Sequence, residues 1–253
     1  MIEPFVLAFV LTLARVGTFV HFLPLLGGSN VPRTVKIGLS MALTVLFFED
    51  SMLALAESRL AFGTLTWFAF ALAMTREVLL GGIFGFALGL FLVPARVAGE
   101  FIAQESGLTF ANVVTASGDG SASPFATLLE LLASLAFFTL DLHHIFLTVL
   151  QETFRHYPIG HAFALPRWDL VHAGSVVQEM GLLLAAPVAL CLFLTTVVLA
   201  LLTRAAPQLN LYSIGFPLRV LVCLGAMLLL LPQLLNGLVG GFAQLVTLLQ
   251  LAR

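Results

Sequence analysis

Long apolar runs separated by short polar segments restrict this 253-residue chain to few folds. A bilayer core about 30 Å thick takes about 20 apolar residues per helical crossing. Because 60% of the residues are hydrophobic and only 9% are charged, no stretch is polar enough to form a soluble domain. The sequence therefore predicts an all-α, polytopic membrane protein of about six long hydrophobic helices. The runs cover residues 5–26, 35–48, 60–95, 125–150, 180–203 and 220–252.

The composition also excludes several classes of function. A net charge of −2 provides no general basic field, so nucleic acid is not expected as a partner. The single lysine, Lys36, follows no glycine-rich loop, which argues against a nucleotide phosphate site. Cys191 and Cys223 stand alone within apolar runs without metal or redox spacing, and we interpret both as packing residues. No cofactor is predicted.

The third run, residues 60–95, is too long for one straight crossing, because its 36 residues would form a helix of about 54 Å. It is either one long helix or two helices with a turn at Arg76–Glu77, where neither glycine nor proline is present. The connections near 27–36 and 204–219 carry basic residues without acids, so both should be cytoplasmic, with an even number of crossings between them. We therefore predict one long third helix, six crossings and both termini outside.

Several ionisable residues interrupt the apolar runs. Arg15, Arg76, Glu77, Glu130 and Asp141 lie where a charge facing hydrocarbon costs at least ~2.5–3.5 kcal/mol. One chain of this size offers few partners for so many charges, so the pattern predicts neighbouring subunits or an aqueous path. Snorkelling near helix ends is the alternative for the first and the last of them.

Gly81, Gly85 and Gly89 recur at four-residue steps in the third run. Small residues at this spacing leave a groove in which the backbone of another helix approaches closely. The partner helix belongs either to this chain or to another subunit. Gly237 and Gly241 repeat the spacing near the C-terminus.

Residues 104–123 form a polar stretch rich in glycine and small hydroxyl side chains. At membrane depth, its backbone polar groups would need protein or water as partners. An ordinary surface loop is the equally weighted alternative.

Asp141, His143 and His144 resemble a fragment of a metal site. Adjacent histidines project about 100° apart on a helix, and no third ligand stands at a familiar spacing. We therefore predict no metal site. Ser106 and Ser117 precede glycines, but no candidate base lies in a recognisable motif, so no catalytic residue is predicted.

Four segments, in order along nearly the whole chain, carry a family resemblance. They are Val31–Leu39; Ala95–Ile102 with Ser106–Ala111; Asp141–His144 with Phe154 and Pro158–Gly160; and Arg204–Asn210 with Ile214–Leu218. The second and fourth are specific, and through them the chain resembles the FliR family, the flagellar members of a group shared with virulence type III secretion systems. Two positions depart from the pattern: Thr115-Ala116 replaces a frequent Asp-Pro pair, and Leu142 replaces a usual glycine.

The resemblance implies a non-enzymatic channel subunit of the flagellar type III export gate, which conducts unfolded flagellar proteins across the bacterial inner membrane at the basal body. It implies assembly with FliP and FliQ homologues into a helical, cone-like complex that an FlhB homologue contacts. Residues 1–178 would be a FliP-like part and residues 179–253 a FliQ-like hairpin. A secondary transporter of a small ion or solute is the alternative, and it predicts inverted repeats, which we do not see in the sequence. A membrane enzyme ranks third.

The resemblance also implies roles for particular residues. The loop near 104–123 is implied to plug the pore at rest, with Phe110 as its apolar constriction and glycines that permit displacement. Glu100, in a Gly-Glu-Phe motif, joins the buried charges expected to contribute to assembly. The tip of the hairpin is implied to be cytoplasmic. The plug residues are Ser106, Gly107, Phe110, Asn112, Thr115, Gly118 and Gly120, and the tip residues are Arg204, Pro207, Gln208 and Arg219.

Overall fold

The computed structural model describes residues 4–23, 31–57, 67–108, 123–160, 170–205 and 211–250, and within these ranges it contains ten helices and no strand. The predicted all-α fold is confirmed. The helices are α1 (Pro4–Phe22), α2 (Arg33–Leu46), α3 (Phe48–Glu57), α4 (Trp67–Gly89), α5 (Val93–Ser106), α6 (Pro124–Thr139), α7 (Leu142–His156), α8 (Leu170–Ala205), α9 (Leu211–Leu229) and α10 (Leu231–Gln250).

The helices form two compact units. The first comprises Met1–Leu90 with Asp141–Trp168, and the second comprises Phe91–Leu140 with Asp169–Arg253. In the first unit α1 packs along α4 and also contacts α2 and α3, while α7 packs against α4. Buried positions on α1 recur every three or four residues, as a helix with one inward face requires. They are Leu7, Ala8, Leu11, Thr12, Arg15, Val16, Phe19 and Val20.

In the second unit α5 packs against α6 and α8, and α9 and α10 complete the layer around them. Small residues allow these backbones to approach closely. A Cβ atom at Gly181 of α8 would lie 2.6 Å from Val97 Cγ1 and 3.1 Å from Pro94 O of α5. The core of this unit is therefore built around alanine and glycine, with larger aliphatic residues beside them. Its fully buried members include Ala95, Ala98, Ile102, Ala126, Leu129, Ala133, Ala185, Val188 and Leu192.

Three helical segments are long and apolar enough to cross a membrane: Phe5–Phe22, Trp67–Gly89 and His172–Ala205. The pairs α6 with α7 and α9 with α10 also qualify if each broken pair counts as one span, which gives up to five in the described ranges. The chain is therefore a polytopic membrane protein, as predicted. The second apolar run is not among these spans, because it forms the 14-residue α2 followed by the 10-residue α3. The orientation of the termini stays a prediction.

The described part of the third apolar run forms one helix through Arg76–Glu77, as we expected, because both residues lie inside α4 and no turn occurs there. The helix ends at Gly89, earlier than the end of the run at residue 95, and α5 begins at Val93. Pro94 occupies the first turn of α5, where its missing N–H costs nothing, and it cannot continue a preceding helix. A proline in the first turn of a helix also marks the division of the last run. The break lies at Leu230, and Pro232 is the second residue of α10.

Candidate functional site

The first unit encloses a charge cluster formed by Arg15, Arg76 and Glu77. Arg15 of α1 is completely buried, and only 1% of the surface of Glu77 in α4 is exposed. Arg15 Nε donates to Glu77 Oε2 at 2.6 Å, and Arg15 Nη2 lies 2.5 Å from the same oxygen. Arg76 Nη1 donates to Glu77 Oε1 at 2.9 Å. One carboxylate therefore accepts hydrogen bonds from two guanidinium groups, which are charge-assisted and correspondingly strong.

The two arginines also bind the C-terminal end of α7. Arg15 donates from Nη1 to Thr153 O at 3.0 Å and from Nη2 to Tyr157 O at 2.7 Å, and Arg76 Nη1 donates to Pro158 O at 3.1 Å. Carbonyl groups at a helix C-terminus carry partial negative charge, and Thr153 O accepts a second hydrogen bond from Tyr157 N at 3.0 Å. The formal excess of one positive charge in the cluster therefore faces the negative end of a helix.

An aromatic ring completes the surroundings of Arg15. The guanidinium carbon lies 4.5 Å from the centroid of the Phe154 ring, and Phe154 in turn stacks on Phe47 with centroids 5.5 Å apart. A cation over an aromatic face gains electrostatic attraction from the ring. The arginine is thus compensated by a carboxylate, two carbonyls and a π-face.

The glycines of α4 make this cluster possible. A Cβ atom at Gly81 would collide with Arg15 O and Thr18 Oγ1, and one at Gly85 would lie 2.7 Å from Phe19 O. At Gly89 the nearest atom, Phe22 O, is 3.5 Å away, which is ordinary van der Waals contact. The groove that we predicted from glycine spacing is therefore filled by α1 of the same chain, and Gly81 and Gly85 require the absence of a side chain.

The expectation that these charges need neighbouring subunits is corrected for three of them. Arg15, Arg76 and Glu77 pair with one another within the first unit, because two sequence-distant helices and the end of a third converge there. Arg76 Nε is buried in this cluster without a hydrogen-bond partner among the described residues. Snorkelling does not describe Arg15, since none of its surface is exposed. Glu130 is half-buried and Asp141 is exposed, so a partner for either one outside the chain stays a prediction.

A second arrangement lies at the ends of the predicted pore loop, in the second unit. Helix α5 ends at Ser106 and is capped by Gly107, whose φ of 85° is left-handed and favours glycine. Helix α6 begins after Ser123, whose side chain accepts a hydrogen bond from Ala126 N at 3.1 Å. Ser106 is buried. The other plug residues, Phe110, Asn112, Thr115, Gly118 and Gly120, lie outside the described residues.

The start of α6, which follows this loop, is held to the middle of α5. Glu100 of α5 accepts a hydrogen bond through Oε1 from Ser123 N at 3.0 Å. One residue earlier, a Cβ atom at Gly99 would lie 2.6 Å from Ala126 N and 2.7 Å from Phe125 O, so only glycine permits this approach. Helix α6 therefore begins at a point that is fixed to α5, about two turns before the end of that helix.

The predicted hairpin tip is described in part. Arg204 is exposed at the end of α8, and Arg219 is half-buried in α9, while Pro207 and Gln208 lie outside the described residues. Helices α8 and α9 pack against each other. Of the second glycine pair, Gly237 lies closer to its neighbour: a Cβ atom there would be 3.0 Å from Leu184 Cδ1.

The break before α7 brings together side chains that we expected to diverge. One ligand atom from each of Asp141, His143 and His144 lies within 4.8 Å of those of the other two. The histidine ring centroids are 4.3 Å apart. Asp141 has a φ of 55° and precedes the helix rather than lying on it, so a helical projection does not place its carboxylate.

Sequence reasoning missed the residues that complete these sites. Thr153, Tyr157 and Pro158 contribute backbone carbonyls, which leave no signal in a sequence. Gly99 was named only as part of the Gly-Glu-Phe motif, and its contact with α6 was not predicted, because one glycine has no distinctive spacing. Ser123 before Pro124 did carry a usable signal, since serine at the N-cap followed by proline is typical of a helix start.

These features define an all-α, polytopic membrane protein that buries a charge cluster between two of its own candidate spans. A family model described as bacterial export proteins, family 1, matches residues 6–245, and the chain belongs to this family. It is 34% identical to the flagellar biosynthetic protein FliR of Escherichia coli (strain K12), over 87% of this chain and 82% of the relative.

Further relatives extend the comparison. The chain is 30% identical to the FliR of Pectobacterium carotovorum subsp. carotovorum, over 91% of this chain and 85% of the relative. It is 23% identical to the secretion system apparatus protein SsaT of Salmonella typhimurium, over 64% of each chain. The predicted membership of the FliR family is confirmed. The chain is a membrane component of a flagellar or type III export apparatus.

Proposed function

We propose that this protein is a non-enzymatic channel subunit of the flagellar type III export gate, and that it conducts unfolded flagellar proteins across the inner membrane at the basal body. In this proposal it assembles with FliP and FliQ homologues, and an FlhB homologue contacts the complex. Residues 1–178 act as the FliP-like part, and residues 179–253 as a FliQ-like hairpin with Arg204 and Arg219 near its cytoplasmic tip. The family membership supports the export role.

The observation that carries the channel proposal is the fixed start of α6, directly after the loop. A segment that closes a pore must be anchored outside the pore. The Glu100–Ser123 hydrogen bond and the contact of Gly99 with Ala126 anchor the start of α6 to α5, and the cap at Gly107 ends α5 before the loop. Glycine and small hydroxyl residues between them permit a compact segment that is displaced without large steric cost. We propose that this segment plugs the pore at rest.

The secondary transporter is the weaker hypothesis on physical grounds. A transporter of this kind would use intramembrane charges to bind its ion or solute. Arg15 and Glu77 instead form hydrogen bonds with each other, and Arg15 also donates to α7. Both residues are buried from solvent. The cluster is therefore better suited to holding helices than to binding a transported solute.

Replacing residues 109–122 by a Gly-Ser linker of equal length tests the plug. The caps at Gly107 and Ser123 remain, so the replacement leaves the end of α5 and the start of α6 intact and removes only the side chains of the plug. We expect higher resting ion conductance in vesicles that contain the complex with FliP and FliQ homologues.

The same replacement of residues 58–66 is the matched control, since the proposal gives this segment between α3 and α4 no part in the plug, and it should leave conductance at the wild-type level. Equal conductance of the 109–122 replacement and the wild type would contradict the plug. Failure of the chain to co-purify with FliP and FliQ homologues in detergent would contradict the proposed assembly.

A further inference from the structure

The cluster at the start of α7 has no part in the proposed export function. Two imidazoles and one carboxylate converge there, with their ligand atoms within 4.8 Å of one another. Atoms bound to one tetrahedral ion by bonds of about 2.0–2.2 Å lie roughly 3.3–3.6 Å apart, so side-chain rotations that close gaps of about 1 Å bring the set to ligating distance. We propose that Asp141, His143 and His144 form a binding site for a divalent transition-metal ion of the zinc type.

The ligand chemistry selects the class of ion. Imidazole nitrogen with carboxylate oxygen is a ligand set that Zn²⁺ takes, whereas Mg²⁺ and Ca²⁺ prefer oxygen ligands throughout. Three protein ligands leave a fourth tetrahedral position for water or for a group from a partner subunit. The site is therefore suited to Zn²⁺ or to its spectroscopic substitute Co²⁺.

The backbone at Asp141 agrees with this assignment. Within the described ranges, Asp141 is the one non-glycine residue with a positive φ, at 55°. Aspartate adopts this left-handed region more readily than most non-glycine residues, so the chain can turn here before α7 begins. The conformation places Asp141 before the helix while His143 and His144 lie in its first turn, so the three ligands come from one short segment.

The apolar surroundings give the ion a physical role. Exposed apolar side chains precede and follow Asp141 in the chain, among them Phe138, Leu140 and Leu147. A bare carboxylate in such a segment of a membrane protein is costly, and a bound cation neutralises it. Because Arg15 and Arg76 hold the C-terminal end of α7, the ion would fix the opposite end of the same helix.

Metal titration of the full chain, purified in detergent and treated with a chelator, tests the site. We expect about one Co²⁺ per chain, with visible absorption bands that Zn²⁺ displaces. Asp141→Asn and His144→Ala should each weaken Co²⁺ binding more than about 10-fold. His156→Ala is the control, because His156 is an exposed histidine at the other end of α7, beside Glu152, and its loss should not change binding.

Thermal unfolding separates loss of the site from loss of the fold. Without metal, both site variants should unfold at the wild-type temperature, since both changed side chains are exposed. Added Zn²⁺ should raise the unfolding temperature of the wild type and of His156→Ala, but not of His144→Ala. The proposal is overturned if Zn²⁺ stabilises all variants equally, if it does not stabilise the wild type, or if Co²⁺ binds the site variants as tightly as the wild type.

Discussion

Removing the charge of Glu77 should destabilise the protein far more than removing the charge of an exposed glutamate in the same unit. Glu77 accepts hydrogen bonds from Arg15 and Arg76 while only 1% exposed. Glu77→Gln preserves the size of the side chain and one oxygen acceptor, but it leaves two guanidinium groups buried without a counter-ion. Breaking a buried pair in this way costs about 3–5 kcal/mol of unfolding free energy.

Glu152 provides the matched comparison, since it pairs with Arg155 at 3.4 Å while its side chain is 39% exposed. An exposed pair contributes about 0–1 kcal/mol, so Glu152→Gln should be nearly neutral. Unfolding in detergent by heat or by a denaturing detergent measures both variants against the wild type. A loss for Glu77→Gln no larger than that for Glu152→Gln would refute the assignment of the cluster as a structural element.

A double-mutant cycle extends this test. Arg15→Gln with Glu77→Gln removes both partners of the closest pair, so the double variant should lose less stability than the sum of the single variants. The expected coupling energy is about 0.5–3 kcal/mol, as found for residues in direct contact. Strict additivity would mean that the two side chains do not depend on each other.

Two further predictions use substitutions matched by residue type. Gly81→Ala should prevent α1 and α4 from packing and should lower the yield of folded protein, because its Cβ would collide with Arg15 O; Gly38→Ala, which meets nothing within 4 Å, should be neutral or stabilise α2 by up to about 1 kcal/mol. Ser123→Ala should cost about 0.5–2 kcal/mol and raise resting conductance by loosening the start of α6, whereas Ser134→Ala in the same helix should change neither quantity. Equal yields for the glycine pair, or equal conductance for the serine pair, would contradict these roles.

The break between α4 and α5 marks one limit of sequence reasoning. Charge distribution favoured one helix without a turn at Arg76–Glu77, and α4 has no turn there, but the helix ends at Gly89, before Pro94 in the first turn of α5. Helix-terminal chemistry acts over one turn and was present in the sequence, whereas the length of an apolar run does not mark where a helix ends. The proline was therefore the better guide to the helix end.

The charge cluster marks a different limit. The sequence indicated that Arg15, Arg76 and Glu77 could not face lipid, and this part of the reasoning agrees with their burial. It gave no means of knowing that Arg15 and Glu77, 62 residues apart, would lie side by side, or that carbonyls 138 and 142 residues from Arg15 would complete the set. Other subunits therefore had to be invoked for partners that the chain itself supplies.

Apolar run length and charge scarcity alone determined that this chain is a helical membrane protein, because a segment that must satisfy its backbone in lipid has few alternatives to the helix. Local motifs likewise determined the family. Only the tertiary structure decided which helix fills the groove at Gly81 and Gly85, which groups compensate the buried arginines, and how Asp141, His143 and His144 converge. Such contacts join residues distant in the chain, or depend on backbone angles at a break, and neither is encoded in the periodicity of a single segment.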